Sequence, residues 1–273
     1  MTSIAQPEER TEVDTPPREW NSIAAEWLER SRQDLWRRHS DAVNTMLIER
    51  WLPWRVLDSV LKTDLFDEAV TTGLYPVLSR HAKNTAAIDV SQTVIDAAAA
   101  RYPRLRTYAA DVRALPFEPC SFDAVVSIST LDHFANKSDI GSALLEIFRV
   151  LKPGGTLILT LDNAANPIIA VRNRLPYSLT HAARLVPYPT GKTLNPWRAR
   201  EVVTSAGFEV LESSAVMHAP RVVAIPLMNL AAKLASPRLK KALLSAAMAF
   251  EKLGMLPTRD VTGHFIAIRA RKP

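Results

Sequence analysis

Two acids stand at the ends of short apolar runs, where a carboxylate can meet a ligand. Asp89 closes Ala86-Ala87-Ile88 and leads through Val90-Ser91 into a helical pattern. Its oxygens can accept both hydroxyls of a ribose; Asp and Ser are also good helix N-caps, and spacing alone leaves both roles open. Asp111 lies in Ala109-Ala110-Asp111-Val112-Arg113-Ala114-Leu115-Pro116-Phe117, after another such run, and can accept from the exocyclic amine of a purine. Asp123, in Cys120-Ser121-Phe122-Asp123-Ala124-Val125-Val126-Ser127, reads as a structural residue bonding the turn at a strand start, with Cys120 as a small apolar turn residue. No spacing of His, Cys and carboxylates matches a metal site, and no Ser-His-Asp pattern is present. Lys152-Pro153-Gly154-Gly155 lacks the Gly-Lys-Ser/Thr ending of a phosphate loop and reads as a helix stop.

These acids need a scaffold, and the hydrophobic pattern supplies one. Strand-like runs occur at Arg55–Lys62, Thr85–Asp89, Leu105–Ala110, Phe122–Ser129, Thr156–Leu161, Glu209–Val216 and His264–Ala270. Helical patterns at Asp67–Arg80, Ser91–Arg101, Ser138–Val150 and Pro196–Ala206 fall between them. The alternation predicts an α/β fold: a mostly parallel sheet with helices on both faces and ligand loops at the carboxyl ends of its strands. Residues 1–18, polar and Pro-containing, read as a flexible arm, and 19–53 as an N-terminal helical lid or dock. Five tryptophans in the 35 residues 20–54 (Trp20, Trp27, Trp36, Trp51, Trp54) lie on apolar stripes that predict packing. The core is expected over 54–216 with an insertion at 163–195, and a helical cap with a final strand over 217–273.

The blocks Ile88-Asp89-Val90-Ser91, Ala110–Phe117, Ser121–Ser127 and Leu145–Leu159 occur in the order seen in one family. Over about 55–216 the chain resembles the small-molecule branch of the class I S-adenosylmethionine-dependent methyltransferases. That resemblance implies a Rossmann-like seven-stranded sheet and S-adenosylmethionine as cofactor. It implies Asp89 on the ribose, Asp111 with Val112 on the adenine, and Ser127 to His133 beneath the methyl group. The family's first loop is glycine-rich, whereas Val60-Leu61-Lys62-Thr63-Asp64-Leu65-Phe66-Asp67-Glu68-Ala69 has no glycine before Gly73. Side chains there restrict φ and take up space. Thr63 and Asp64 can still line a polar site, with Asp64 or Glu68 near the cofactor's amino group. His133, after the fourth strand, is a candidate to take a proton from a hydroxyl or amine acceptor, as an imidazole can; a helix-start or core histidine is the other reading. Candidate acceptor walls are Asn163, Asn166, Asn173, Tyr177, Tyr188, Met217, His218 and Arg221. The alternative is a non-catalytic module that keeps the fold, lacks the cofactor and serves as a partner or regulatory subunit.

At 273 residues and 47% hydrophobic, the chain has ample material for one large core, which excludes overall disorder. The single Cys120 and the absence of a charged-then-apolar leader point to the cytoplasm, and the longest apolar stretches, Val222–Ala232 and Ala242–Phe250, are too short to span a bilayer. The formal charge of +6 reads as scattered, with no nucleic-acid motif, so a small-molecule acceptor is expected and nucleic acid is not. Met217–Leu256 mixes apolar clusters with Lys233, Arg238, Lys240, Lys241 and Lys252. It can cap a hydrophobic pocket, rest peripherally on an anionic membrane, or pack as a helical pair on the sheet edge.

Overall fold

Because the apolar residues of the strand runs point alternately to either side, each strand can bury both faces, and the chain pairs them into one seven-stranded sheet. The computed structural model describes residues 17–29, 34–134, 136–175, 191, 193–234 and 236–273. The strands are β1 (Leu57–Lys62), β2 (Ala82–Asp89), β3 (Arg106–Ala109), β4 (Phe122–Ile128), β5 (Leu151–Asp162), β6 (Glu209–Val216) and β7 (Phe265–Arg271). Their order is β3-β2-β1-β4-β5-β7-β6. Strands β1 to β5 run parallel, and β7 is antiparallel to both β5 and β6. The order reverses between β1 and β4, and the crevice at their carboxyl ends is where such a sheet binds ligand.

Helices α1 (Pro17–Glu29) and α2 (Asp34–Trp51) precede β1; α3 (Phe66–Val70), α4 (Tyr75–His81) and α5 (Gln92–Arg101) alternate with the first strands. Beyond β4 come a 3₁₀ turn (Leu131–His133), α6 (Lys137–Val150), α7 (Pro167–Arg172), α8 (Pro196–Ser205), α9 (Arg221–Leu234), α10 (Pro237–Ala249), a second 3₁₀ turn (Phe250–Met255) and α11 (Arg259–Thr262). One sheet face, through Leu61, Val125 and Leu159, packs on Leu144 and Ile147 of α6 and Val203 of α8. The other, through Val60, Val126 and Ile158, packs on Ile48 and Trp51 of α2 and Leu78 of α4.

The structure corrects several expectations. The single helix expected at Asp67–Arg80 is two, α3 and α4, broken at Gly73. That residue has φ +61°, and a Cβ on it would lie 2.7 Å from the Glu68 carboxyl carbon. Lys152–Gly155 is not a plain helix stop, since α6 ends at Val150 and those residues bulge from β5 between the pairs Phe122↔Leu151 and Ala124↔Thr156. Trp27, Trp36 and Trp51 are buried as expected, but Trp54 is fully exposed. Asp123 is structural in a wider sense than its own turn: one oxygen accepts from the Asp58 and Ser59 amides of β1 and the other from Lys152. The inner faces of α9 and α10 pack as a helical pair, burying Met228, Ala231 and Ala247 with Leu35, Trp36 and Val43 of α2 and Phe265 of β7.

Candidate active site

The loop after β1 is organised around one buried cation. Lys62 is the last residue of β1 and points to the same face as Val60, where its ammonium donates to the Asp64 carbonyl and carboxylate, both at 2.9 Å. Glu68 of α3 lies 2.9 Å from the same nitrogen, while its other oxygen accepts from the Leu74 and Tyr75 amides that begin α4. Burial alone would depress Lys62, but Asp64 and Glu68 overcome it and hold the ammonium well above the ordinary lysine range. Burial pushes the Glu68 carboxyl up and Lys62 opposes it. Glu68 is therefore a bracket for the α3–α4 turn rather than a residue facing the cofactor. Next to Lys62, the Thr63 hydroxyl contacts Ser127 Oγ at 2.9 Å and Thr130 Oγ1 at 3.0 Å, and Thr130 reaches Asp64. Thr63, Asp64 and Ser127 are thus brought together at the carboxyl ends of β1 and β4.

Asp89 ends β2 beside this loop. One of its oxygens accepts from the Leu65 amide at 3.0 Å and the other from the Ser91 amide at 2.9 Å, with burial raising the carboxyl to about 6 against both bonds. The N-cap of α5 is Ser91, which accepts from Val94, so the cap role left open for Asp89 belongs to its neighbour. Asp111 follows β3; its oxygens take the Arg113 amide and guanidinium, and Val112 is buried behind it. Helix α1 bridges the sites from above: Asn21 accepts from Ser91 Oγ at 2.6 Å, and the Trp20 ring meets the His133 ring edge-on at 5.2 Å. His133 closes the 3₁₀ turn after β4 and is partly exposed.

A second ionisable cluster lies at the ends of β4 and β5. Asp132 is buried; one oxygen accepts from Ser129 Oγ at 2.9 Å and the Asp162 amide at 3.3 Å, and the other has no hydrogen-bond partner among the described residues. Burial, with the neighbouring Asp162 charge, raises Asp132 to about 6. Burial would raise Asp162 too, but Arg172 at 2.6 Å, with Arg221 nearby, holds it low. His264, lowered to about 3 by burial and then by Arg221, is neutral and accepts from Arg221 at 2.8 Å. Ser129, at φ +49°, turns the chain from β4 into this cluster.

Most expected acceptor walls are instead structural. Asn163 and Asn166 are buried and donate to backbone carbonyls of Asp260, Thr262 and Gly263, tying β5 to the approach of β7. Met217 and His218 are buried, with His218 between Thr262 and the Ala215 carbonyl. Asn173 bonds Thr193, Arg221 joins the Asp162 cluster, and Tyr177 and Tyr188 lie outside the described residues. Lys62, Asn21 and Asp132 were not anticipated. The signal for Lys62 was a lysine ending an apolar strand, with acids two and six residues later.

A doubly wound sheet with acids at the ends of β2 and β3 defines a nucleoside-type binding domain. Residues 69–159 match the methyltransferase domain family model. A probable S-adenosylmethionine-dependent methyltransferase of Mycolicibacterium smegmatis is 28% identical over 137 residues, covering 50% of this chain and 48% of that one. A Mycobacterium tuberculosis protein of the same description is 25% identical over 51% of this chain and 46% of its own. The matched part thus spans about half the length of these curated relatives. Among solved structures, the N-methyltransferase NodS of Bradyrhizobium japonicum, in complex with S-adenosylhomocysteine, has a TM-score of 0.51 at 16% identity, covering 86% of both chains. A chain of the complex between the Haloferax volcanii Trm112 methyltransferase activator and a methyltransferase reaches 0.59 at 17%, covering 95% of this chain and 98% of that one. Over the matched half, the chain is similar to S-adenosylmethionine-dependent methyltransferases, and residues 69–159 carry the methyltransferase domain.

The donor set fits that cofactor. Each Asp89 oxygen keeps a lone pair beyond the amide it accepts, enough for two ribose hydroxyls. Lys62 replaces glycine-type space, yet its charge is neutralised inside the loop, so no free ammonium faces a sulfonium.

Proposed function

We propose that this protein transfers a methyl group from S-adenosylmethionine to a small, lipophilic acceptor. The observation that carries the reading is the placement of Asp89, Asp111, Thr63 and Asp64 around the carboxyl ends of β1, β2 and β3, supported by the family match. Bound S-adenosylmethionine supplies a methyl carbon already activated by its sulfonium. The chain's own work is alignment and exclusion of water. Asp89 accepts the ribose hydroxyls, Asp111 with Val112 holds the adenine, and the Thr63–Ser127–Thr130 hydroxyls with Asp64 face the amino-acid end. Helix α1, through Trp20 and Asn21, shields the site from solvent. His133 takes the proton released by a hydroxyl or amine acceptor. The lipophilic character of the acceptor is inferred from the apolar clusters Val222–Ala232 and Ala242–Phe250.

Turnover of a panel of acceptors, with His133→Ala compared to wild type, tests the reading. His133→Ala is expected to lower kcat by roughly 10²–10⁴ with cofactor affinity near wild type. Full turnover by the variant would reduce His133 to a packing residue, and a strong preference for highly charged acceptors would contradict the lipophilic assignment.

A further inference from the structure

The basic residues are spread along the chain, but the net charge is concentrated. Residues 217–262 hold seven Lys or Arg against two Asp or Glu, so this stretch carries +5 of the formal +6, and residues 221–249 contain five cations and no acid. One of the two acids, Glu251, is turned inward and accepts from the Met217 and His218 amides. The α9–α10 pair has two unlike faces. Its inner face is spent on α2, through Met228, Ala231 and Ala247. Its outer face carries Val223, Leu227, Leu230 and Leu234, at spacings of four, three and four residues, which is a single stripe of an α-helix. Those four side chains are 64%, 48%, 56% and 78% exposed, and Leu239 at the start of α10 is 51% exposed. Lys233, Arg238 and Lys241 are exposed at the turn joining the helices, beside Leu234 and Leu239.

From this face we infer that α9–α10 docks the protein on an anionic membrane surface, with the leucine stripe entering the headgroup boundary and the turn cations meeting lipid phosphates. An apolar stripe flanked only by cations is the composition of an interfacial helix. A second copy of the chain would bring the exposed Lys233, Arg238 and Lys241 against their own copies, whereas an anionic bilayer is complementary to both stripe and charge. The same docking would let a lipophilic acceptor pass from the bilayer, but the surface argument stands without the methyltransferase reading, and its test needs no activity.

The test is flotation of the full chain with phosphatidylglycerol vesicles and with phosphatidylcholine vesicles, at low and high salt. Two variants are compared: Leu230→Glu/Leu234→Glu in the stripe and Lys233→Glu/Arg238→Glu/Lys241→Glu at the turn. Wild type is expected to float with phosphatidylglycerol at low salt, to bind at least tenfold less to phosphatidylcholine, and to be released by salt. Either variant, folded by circular dichroism, is expected to lose at least tenfold of that binding, so one remains informative if the other misfolds. Absence of flotation with phosphatidylglycerol, or binding that both folded variants retain, would overturn the inference. So would concentration-dependent dimers that the stripe variant abolishes, or capture of an acidic protein in place of vesicles.

Discussion

Lys62 shows how far one residue can reorganise a loop. A buried ammonium between two carboxylates substitutes side-chain bonding for the tight backbone that glycines would provide, and the pair is costly to break because a lone buried charge remains. Lys62→Met is expected to destabilise the fold by about 3–5 kcal/mol, and adding Glu68→Gln to recover part of the loss. Urea unfolding of both singles and the double checks this; additive effects would mean that the two groups do not interact. Asp132 gives a pH signature. Its ordinary value of 3.8 rises to about 6 in the fold, so between those values the native state holds a proton that the unfolded chain has lost. Its contribution to stability falls as pH rises through that window. His39 and His264, lowered to about 4 and about 3 by burial, act oppositely, since their stability is present above 6.5 and lost as pH falls toward those values. Wild-type stability is therefore flattened, and the Asp132→Asn variant separates the parts. Its stability relative to wild type is expected to improve by roughly 2–3 kcal/mol between pH 4.5 and 7.5; no change with pH would place the Asp132 charge elsewhere. Among residues, the positions of Asp89 and Asp111 at the ends of β2 and β3 were legible because apolar runs announce strand ends. Asp132 was not, since its meaning comes from Asp162, thirty residues away in sequence and joined only by the β4–β5 pairing.

At the scale of elements, α1 is the piece that couples the N-terminal region to the site. It spans from the start of α5, where Asn21 accepts from the Ser91 hydroxyl and the Thr93 amide, to His133 after β4, which the Trp20 ring meets. Trp20→Ala/Asn21→Ala is expected to speed cofactor dissociation roughly tenfold, about 1.4 kcal/mol, by stopped-flow, with little change in midpoint of thermal unfolding. An unchanged rate would make α1 ordinary packing. The central strands β1, β4, β5 and β7 were readable from apolar runs because they are largely buried on both faces, and all seven strands appear within a few residues of their expected ends. Helix breaks were harder. The α3–α4 kink depends on Glu68 folding back beneath Gly73, a contact that no local periodicity encodes. The 163–195 asparagines looked like ligand donors because polar residues in a loop usually face outward, yet Asn163 and Asn166 satisfy backbone carbonyls that would otherwise be buried without partners.

At the scale of the whole molecule, the sheet order reverses between β1 and β4, α1 reaches the loops at the carboxyl ends of β2 and β4, and α9–α10 packs on α2. Among the described residues no helix is long and apolar enough to cross a membrane. The central claim is that the glycine-free loop still binds the family's cofactor, and calorimetric titration of the full chain with S-adenosylmethionine tests it most directly. Binding is expected, and Asp89→Ala is expected to weaken it by about 1.5–3 kcal/mol, or roughly 10- to 150-fold. No heat of binding to wild type at millimolar cofactor would contradict the claim and leave a methyltransferase fold that serves without its cofactor.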